Sequence, residues 1–240
     1  MLFLRSLLFN LVLWSSSMIF SLLTLFSFPV PPIPRFRFIS QWARFGLWWL
    51  KVTCRISFQV EGQENLPPGP AIVLCKHQSA WETLATQIIF PPHVWVLKRE
   101  LLWLPFFGWG LALTQPIAID RGSIRKGLRQ IVEQGRQRLQ TGRWVVVFPE
   151  GTRMAPRQHG RFGIGGAYLA SETGYPVVPV AHNAGRYWPR RTFIKQPGTI
   201  RVMIGPVIDS RGRKPDEINQ SAEEWIKSAM AMLEGITAFK

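Results

Sequence analysis

At 240 residues the chain can bury one good core, which disfavours a two-domain arrangement. Twenty-nine Lys and Arg stand against 14 Asp and Glu, a formal charge of +15, so the natural partners are polyanionic: nucleic acid, an anionic membrane face or an acidic carrier. Two cysteines, Cys54 and Cys75, exclude a disulfide framework, have no metal-site spacing and fit a reducing compartment.

Hydrophobic content of 47% and eleven Trp select the membrane among those partners, since Trp is enriched at the bilayer interface. Leu2 to Phe28 carries a single charge, Arg5, and is long enough to cross a bilayer as a helix. A cleaved signal peptide would want a small-residue cleavage site, and Phe28-Pro29-Val30-Pro31-Pro32 fits that badly. Residues 1–30 therefore read as a membrane anchor. Residues 31–52 mix aromatics and cations (Arg35, Phe36, Arg37, Phe38, Trp42, Arg44, Trp48, Trp49, Lys51). They read as an interfacial helix or as an ordinary amphipathic helix packed on the domain. The positive charge after Phe28 favours a cytoplasmic face of the inner membrane, and a hairpin dipping into one leaflet gives the same side.

Residues 53–240 alternate strand and helix patterns. Apolar β-rich runs lie at Ile56–Val60, Ala71–Cys75, Val94–Leu97, Ile117–Ile119, Trp144–Phe148, Val177–Val180 and Ile200–Ile204. Helical patterns cover Thr83–Phe90, Ser123–Gln140 and Phe162–Thr173, and Ser221-Ala222-Glu223-Glu224 has the form of a capping box opening a last helix. The expected fold is one α/β domain with a mixed, mostly buried sheet flanked by helices.

Lys76-His77 follows the strand pattern Ala71–Cys75, at the sheet edge where open α/β folds bind ligands. Ser79 reads as an N-cap and puts Glu82 about one turn from His77. A neutral His accepts a proton from an alcohol near pH 7, and a carboxylate on its other nitrogen fixes the tautomer. The bland alternative is that Ser79 and Glu82 form only a capping box. Cys75 offers a Cys–His pair as a rival, although an apolar strand usually buries its Cys inertly.

Trp144–Phe148 is followed by Pro149-Glu150-Gly151-Thr152-Arg153. Gly lets the loop turn its N–H groups on a ligand, and Arg153 can grip a phosphate or carboxylate. Alone, this is equally a strand-ending turn with a solvated Arg. Two more strand patterns end in cations, at Lys98 and Arg121. If these ends share one edge, they offer one base and three cations to one ligand.

These blocks resemble the glycerolipid acyltransferase family, most of all bacterial 1-acyl-glycerol-3-phosphate acyltransferases. The matching stretches are His77–Glu82, Ile117–Arg121, Phe148–Arg153 and Val177–Val180, in order, over roughly residues 50 to 210. The resemblance implies that His77 takes the proton of an acceptor hydroxyl that attacks an acyl thioester, and that Glu82 orients His77. It makes Lys98, Arg121, Thr152 and Arg153 candidates for the acceptor's phosphate, with Glu150 and Gly151 shaping that pocket. It implies no metal and no cofactor, with acyl-coenzyme A or acyl-acyl carrier protein as co-substrate and membrane lipid as acceptor. Two departures stand out: the family usually has Asp where this chain has Glu82, and Lys soon after the third block where this chain has Gly163 to Gly165.

The expected function is acylation of the sn-2 hydroxyl of 1-acyl-glycerol-3-phosphate to give phosphatidate. A different acceptor, such as a lyso-aminolipid or glycerol 3-phosphate, is the near alternative. A non-catalytic basic protein binding membrane or nucleic acid is the remote one, and no nucleic acid is expected as partner. Trp103 to Trp109 reads either as a lipid-dipping or acyl-groove segment or as core. The basic face Arg125, Lys126, Arg129 and Arg136 suits anionic lipid, acidic carrier protein or plain solvent.

Overall fold

A computed structural model describes residues 1–120 and 122–235. Every run expected as a strand is one: β1 (Ile56–Glu61), β2 (Ile72–Cys75), β3 (His93–Lys98), β4 (Ile117–Ile119), β5 (Trp144–Val147), β6 (Val177–His182) and β7 (Gly198–Ile204). They make one sheet in the order β1-β7-β6-β2-β5-β3-β4. From β6 to β4 all neighbours are parallel. β7 runs antiparallel to β6 and carries β1 alongside it in parallel. Every residue of β2, β5 and β6 is buried, so these strands read as unbroken apolar runs rather than alternating ones.

Eight helices accompany the sheet among the described residues: α1 (Leu2–Leu25), α2 (Pro32–Cys54), α3 (Trp81–Ile89), α4 (Phe107–Leu113), α5 (Ile124–Gln140), α6 (Gly165–Thr173), α7 (Ala184–Tyr187) and α8 (Pro215–Leu233). Alternate strand residues point to opposite faces. Val73, Cys75, Val146 and Val180 pack under Leu47 and Leu50 of α2 and Trp81 and Leu84 of α3. Ile72, Leu74, Val145 and Val147 pack under Ile131 and Leu139 of α5, Leu169 of α6 and Ile218 of α8.

α6 lies close behind β2 and β5 because Gly166 lets it. A Cβ there would stand 2.4 Å from Leu74 Cδ2, and Leu74 is wholly buried with nowhere to retreat. Gly166→Ala is expected to destabilise the protein by about 1–3 kcal/mol, the usual penalty for overfilling a core. Denaturant midpoints of the two proteins measure it, and an unchanged midpoint refutes the close approach.

Three expectations need correction. The last helix does not open at Ser221, whose Oγ donates to the Glu217 carbonyl in mid-helix. It opens at Pro215, which has no N–H to lose at a first helical position, with Asp216 and Glu217 in the first turn. The helix expected from Phe162, α6, begins at Gly165 instead. Trp103 to Trp109 is not core. It forms a 3-10 turn (Arg99–Trp103) and α4, and leaves Trp103, Phe107 and Trp109 exposed.

α1 is long and apolar enough to cross a membrane. One side of it is tied to protein. Ser6 Oγ accepts from Lys195 N–H at 2.9 Å, and Phe9, wholly buried, meets Trp188 edge-on at 5.2 Å. Farther along, Trp42 of α2 donates to Ser16 Oγ at 3.2 Å, and Gly110 of α4 sits against Ser21. The other side is a bare apolar stripe of Leu4, Leu8, Leu11, Met18 and Leu22. α2 has a packed side and a bare side. Phe36, Ala43, Leu47 and Leu50 pack on the domain, while Phe38, Phe45, Trp48 and Val52 form a second bare stripe.

Candidate active site

Because β2, β5, β3 and β4 are parallel neighbours, their C-terminal ends open on one edge. Lys76-His77 leaves β2 there, Phe148–Arg153 leaves β5, and Lys98 ends β3. Arg121, beyond β4, lies outside the described residues.

His77 Nδ1 is 2.7 Å from Glu82 Oε1. The same carboxylate accepts from the N–H groups of Gln78 (2.9 Å) and Ser79 (2.8 Å), while Ser79 Oγ accepts from Trp81 N–H at 3.1 Å. The helix N-cap is Ala80, one residue later than the sequence suggests, and the box is only half made: Ser79 N–H bonds to Glu82, but Ser79 Oγ takes Trp81 N–H rather than Glu82 N–H. Capping and His contact therefore coexist on one carboxylate. Burial pushes the Glu82 carboxyl up, but His182, His77 and the Ser79 N–H together outweigh it and hold it below the ordinary value. Glu82 is thus an acceptor, and His77 Nδ1–H donates to it. The imidazole stacks on Phe148, ring centres 4.2 Å apart, and its side chain is 14% exposed.

The backbone of His77 is gripped as firmly as its ring. Its N–H donates to Glu150 Oε2 at 2.9 Å, and its carbonyl accepts from Met154 N–H at 2.8 Å. Glu150 faces inward, ion-paired with the wholly buried Lys76 and accepting from Gly160 N–H at 3.2 Å. Lys76 Nζ also donates to the Gln158 carbonyl at 2.9 Å. Gly151 makes the turn at φ 63°, a left-handed shape that suits glycine. Cys75 drops out as a nucleophile. It is buried, its Sγ lies 3.4 Å from the Lys76 carbonyl, and burial, with Glu82 and Glu150 nearby, pushes the thiol well up.

Comparison with known proteins agrees with this architecture. An acyltransferase family model matches residues 57–183, just over half of the chain. The chain belongs to the acyltransferase family. The 1-acyl-sn-glycerol-3-phosphate acyltransferase of Pseudomonas aeruginosa is 46% identical over 97% of this chain and 92% of its own length. The protein of that name from Escherichia coli is 36% identical over 56% of this chain and 53% of its own. The crystal structure of the 1-acyl-sn-glycerophosphate acyltransferase PlsC from Thermotoga maritima has the same fold, with a TM-score of 0.80 over 99% of this chain and 97% of that one at 22% identity.

In this acyltransferase the remaining candidates lie around the same edge. Lys98 and Thr152 are exposed. Arg153 is partly buried, and its Nε is wholly buried without a hydrogen-bond partner among the described residues. On the basic face of α5, Lys126 pairs with Asp120, Arg129 with Glu133, and Arg136 donates to the Glu172 carbonyl.

Two residues of the site escape a reading of the sequence. Lys76 looks like one more strand-end cation until its partner, 74 residues away, is seen. His182 ends β6, donates from Nε2 to the Lys76 carbonyl at 2.8 Å and accepts from Ala184 N–H at Nδ1, 3.3 Å away. Burial pushes its pKa down, and Nε2 lies 3.8 Å from Glu82 Oε2, which also accepts from Ser79 N–H. The run Val177–Val180 signals the strand but not the His beyond it.

Proposed function

We propose that this acyltransferase acylates the sn-2 hydroxyl of 1-acyl-glycerol-3-phosphate, giving phosphatidate, with His77 as general base. The observation that carries the reading is the His77–Glu82 pair. Its tautomer is fixed by an ionised carboxylate, and its second nitrogen is left for an alcohol at an open sheet edge. In the reaction, Nε2 takes the hydroxyl proton as the oxygen attacks the thioester carbonyl. The carbon–sulfur bond then breaks, and the imidazolium returns the proton to the leaving thiolate. Glu82 stabilises the transient cation. The donor is acyl-coenzyme A or an acylated carrier protein.

Arg153, with Lys98, Arg121 and Thr152, takes the acceptor's phosphate. A buried guanidinium N–H with no partner is costly, and an arriving phosphate oxygen relieves that cost. Glu150 and Gly151 shape the loop rather than touch the anion. Residues 1–30 and 31–52 work as membrane-contacting units, with 53–240 as the catalytic unit on the cytoplasmic side of the inner membrane. Ties to the domain near both Ser6 and Ser21 favour α1 lying along one leaflet, bare stripe in lipid, over α1 standing across the bilayer.

Purified protein given lysophosphatidate and a labelled acyl thioester is expected to form phosphatidate, and to favour that acceptor over lyso-aminolipid and glycerol 3-phosphate in competition. No product with any thioester refutes the reading. Arg153→Met is expected to lower kcat/KM for lysophosphatidate by about 10–100-fold, the weight of a lost charge-assisted hydrogen bond. A loss confined to the donor's KM would move Arg153 to the other substrate.

A further inference from the structure

Between α7 and β7 the chain makes a loop closed by a hydrogen bond from Gln196 N–H to the Tyr187 carbonyl, 2.8 Å. None of the four sequence blocks includes it. One end of the loop reaches the site: Arg190 Nη1 donates to the carbonyl of Arg153. That carbonyl belongs to the peptide whose N–H, on Met154, donates to His77. Carbonyl and N–H point opposite ways across a trans peptide. The peptide is therefore clamped from both sides, by His77 within and Arg190 without.

The other end of the loop is seated on α1. Lys195 donates from its backbone to Ser6 and from Nζ to Asn10 Oδ1 and the Phe193 carbonyl, at 2.9, 2.9 and 2.8 Å. Its ammonium also lies over the rings of Phe9, Trp188 and Phe193. Phe193 in turn meets Phe3 at 5.2 Å.

We propose that Arg190 is a positioning residue for the acceptor's phosphate, holding Arg153 where it can grip, and that the loop Tyr187–Gln196 makes that hold depend on the seating of α1. This rests on the lysophosphatidate reading above. Arg190 does not take part in the chemistry. It fixes one peptide, and Arg153 hangs from that peptide. His77 has its own anchors in Glu82 and Glu150, so the base stays in place when Arg190 is lost.

The test is steady-state kinetics of the full-length protein in mixed micelles with lysophosphatidate and an acyl thioester. Arg190→Met keeps the bulk and removes the donor. It is expected to raise the KM for lysophosphatidate about 3- to 10-fold, the effect of one hydrogen bond. kcat and the thioester's KM should stay at wild-type values. Arg190→Lys, which still has a donor, is expected to recover part of the loss. A merely structural role would lower kcat and raise both KM values together, and that result overturns the proposal. So does an unchanged KM for lysophosphatidate.

If Arg190→Met does not fold, Arg190→Lys is read alone, and a rise confined to the same KM is the supporting result. Lys195→Met loosens the far end of the loop and is expected to raise that KM too, but to add less than its own effect on top of Arg190→Met. Full additivity refutes the link to α1. An idle wild type refutes the underlying reading, whereas an active wild type with a silent Arg190→Met refutes this proposal alone.

Discussion

His77→Ala is expected to lower kcat by about 10²–10⁴-fold, the usual contribution of one general base. The effect should fall on kcat, because the proton moves in the chemical step and the headgroup contacts lie elsewhere. The fold should survive the change. His77 contributes its own N–H and carbonyl to the surrounding loops, and both remain in Ala. What is lost is the ring, its stacking on Phe148 and its bond to Glu82. Glu82 still accepts from Gln78 and Ser79, so its buried charge is not orphaned. Labelled phosphatidate formation and a thermal melt, run on the same preparation, check both halves. Wild-type turnover in His77→Ala would remove the imidazole from the mechanism whatever the acceptor proves to be.

Lys76→Met is expected to lower stability by about 3–5 kcal/mol, because it leaves the Glu150 carboxylate buried without its counter-charge. For a protein of this size that is a drop of roughly 6–20 °C in Tm. Removing both charges, as Lys76→Met with Glu150→Leu, should restore only part of it. Glu150 also accepts from His77 and Gly160, and Leu leaves those N–H groups unpaired. Activity of the double variant should stay low even below its melting point, since His77 has lost one of its two backbone anchors. A Lys76→Met protein melting within about 2 °C of wild type would mean that the pair contributes little.

The strands were legible because their cause is local. β2, β5 and β6 are covered on both faces, and such strands must be apolar throughout. The His77–Glu82 contact was legible because it closes within five residues, between the end of β2 and the first turn of α3. The common edge of the four strand ends was a guess until strand order made it a fact. The start of the last helix is hidden in the sequence because Ser221 and Glu224 imitate a cap, whereas the true opening is Pro215 after an extended Lys214. Lys76–Glu150, Arg153–Arg190 and Ser6–Lys195 join residues 74, 37 and 189 positions apart. No local pattern encodes such pairings.

The longest of these ties has a consequence for biogenesis. Lys195 leaves the ribosome 189 residues after Ser6. At about 5–20 residues per second, that is roughly 10–40 s of translation. Through that interval Phe9 and the rest of the first helix have none of the Trp188–Lys195 contacts that later bury them. α2, made soon after it, is the first partner the helix meets. The seat of the first helix in the domain is therefore completed last, after six of the seven strands have been made.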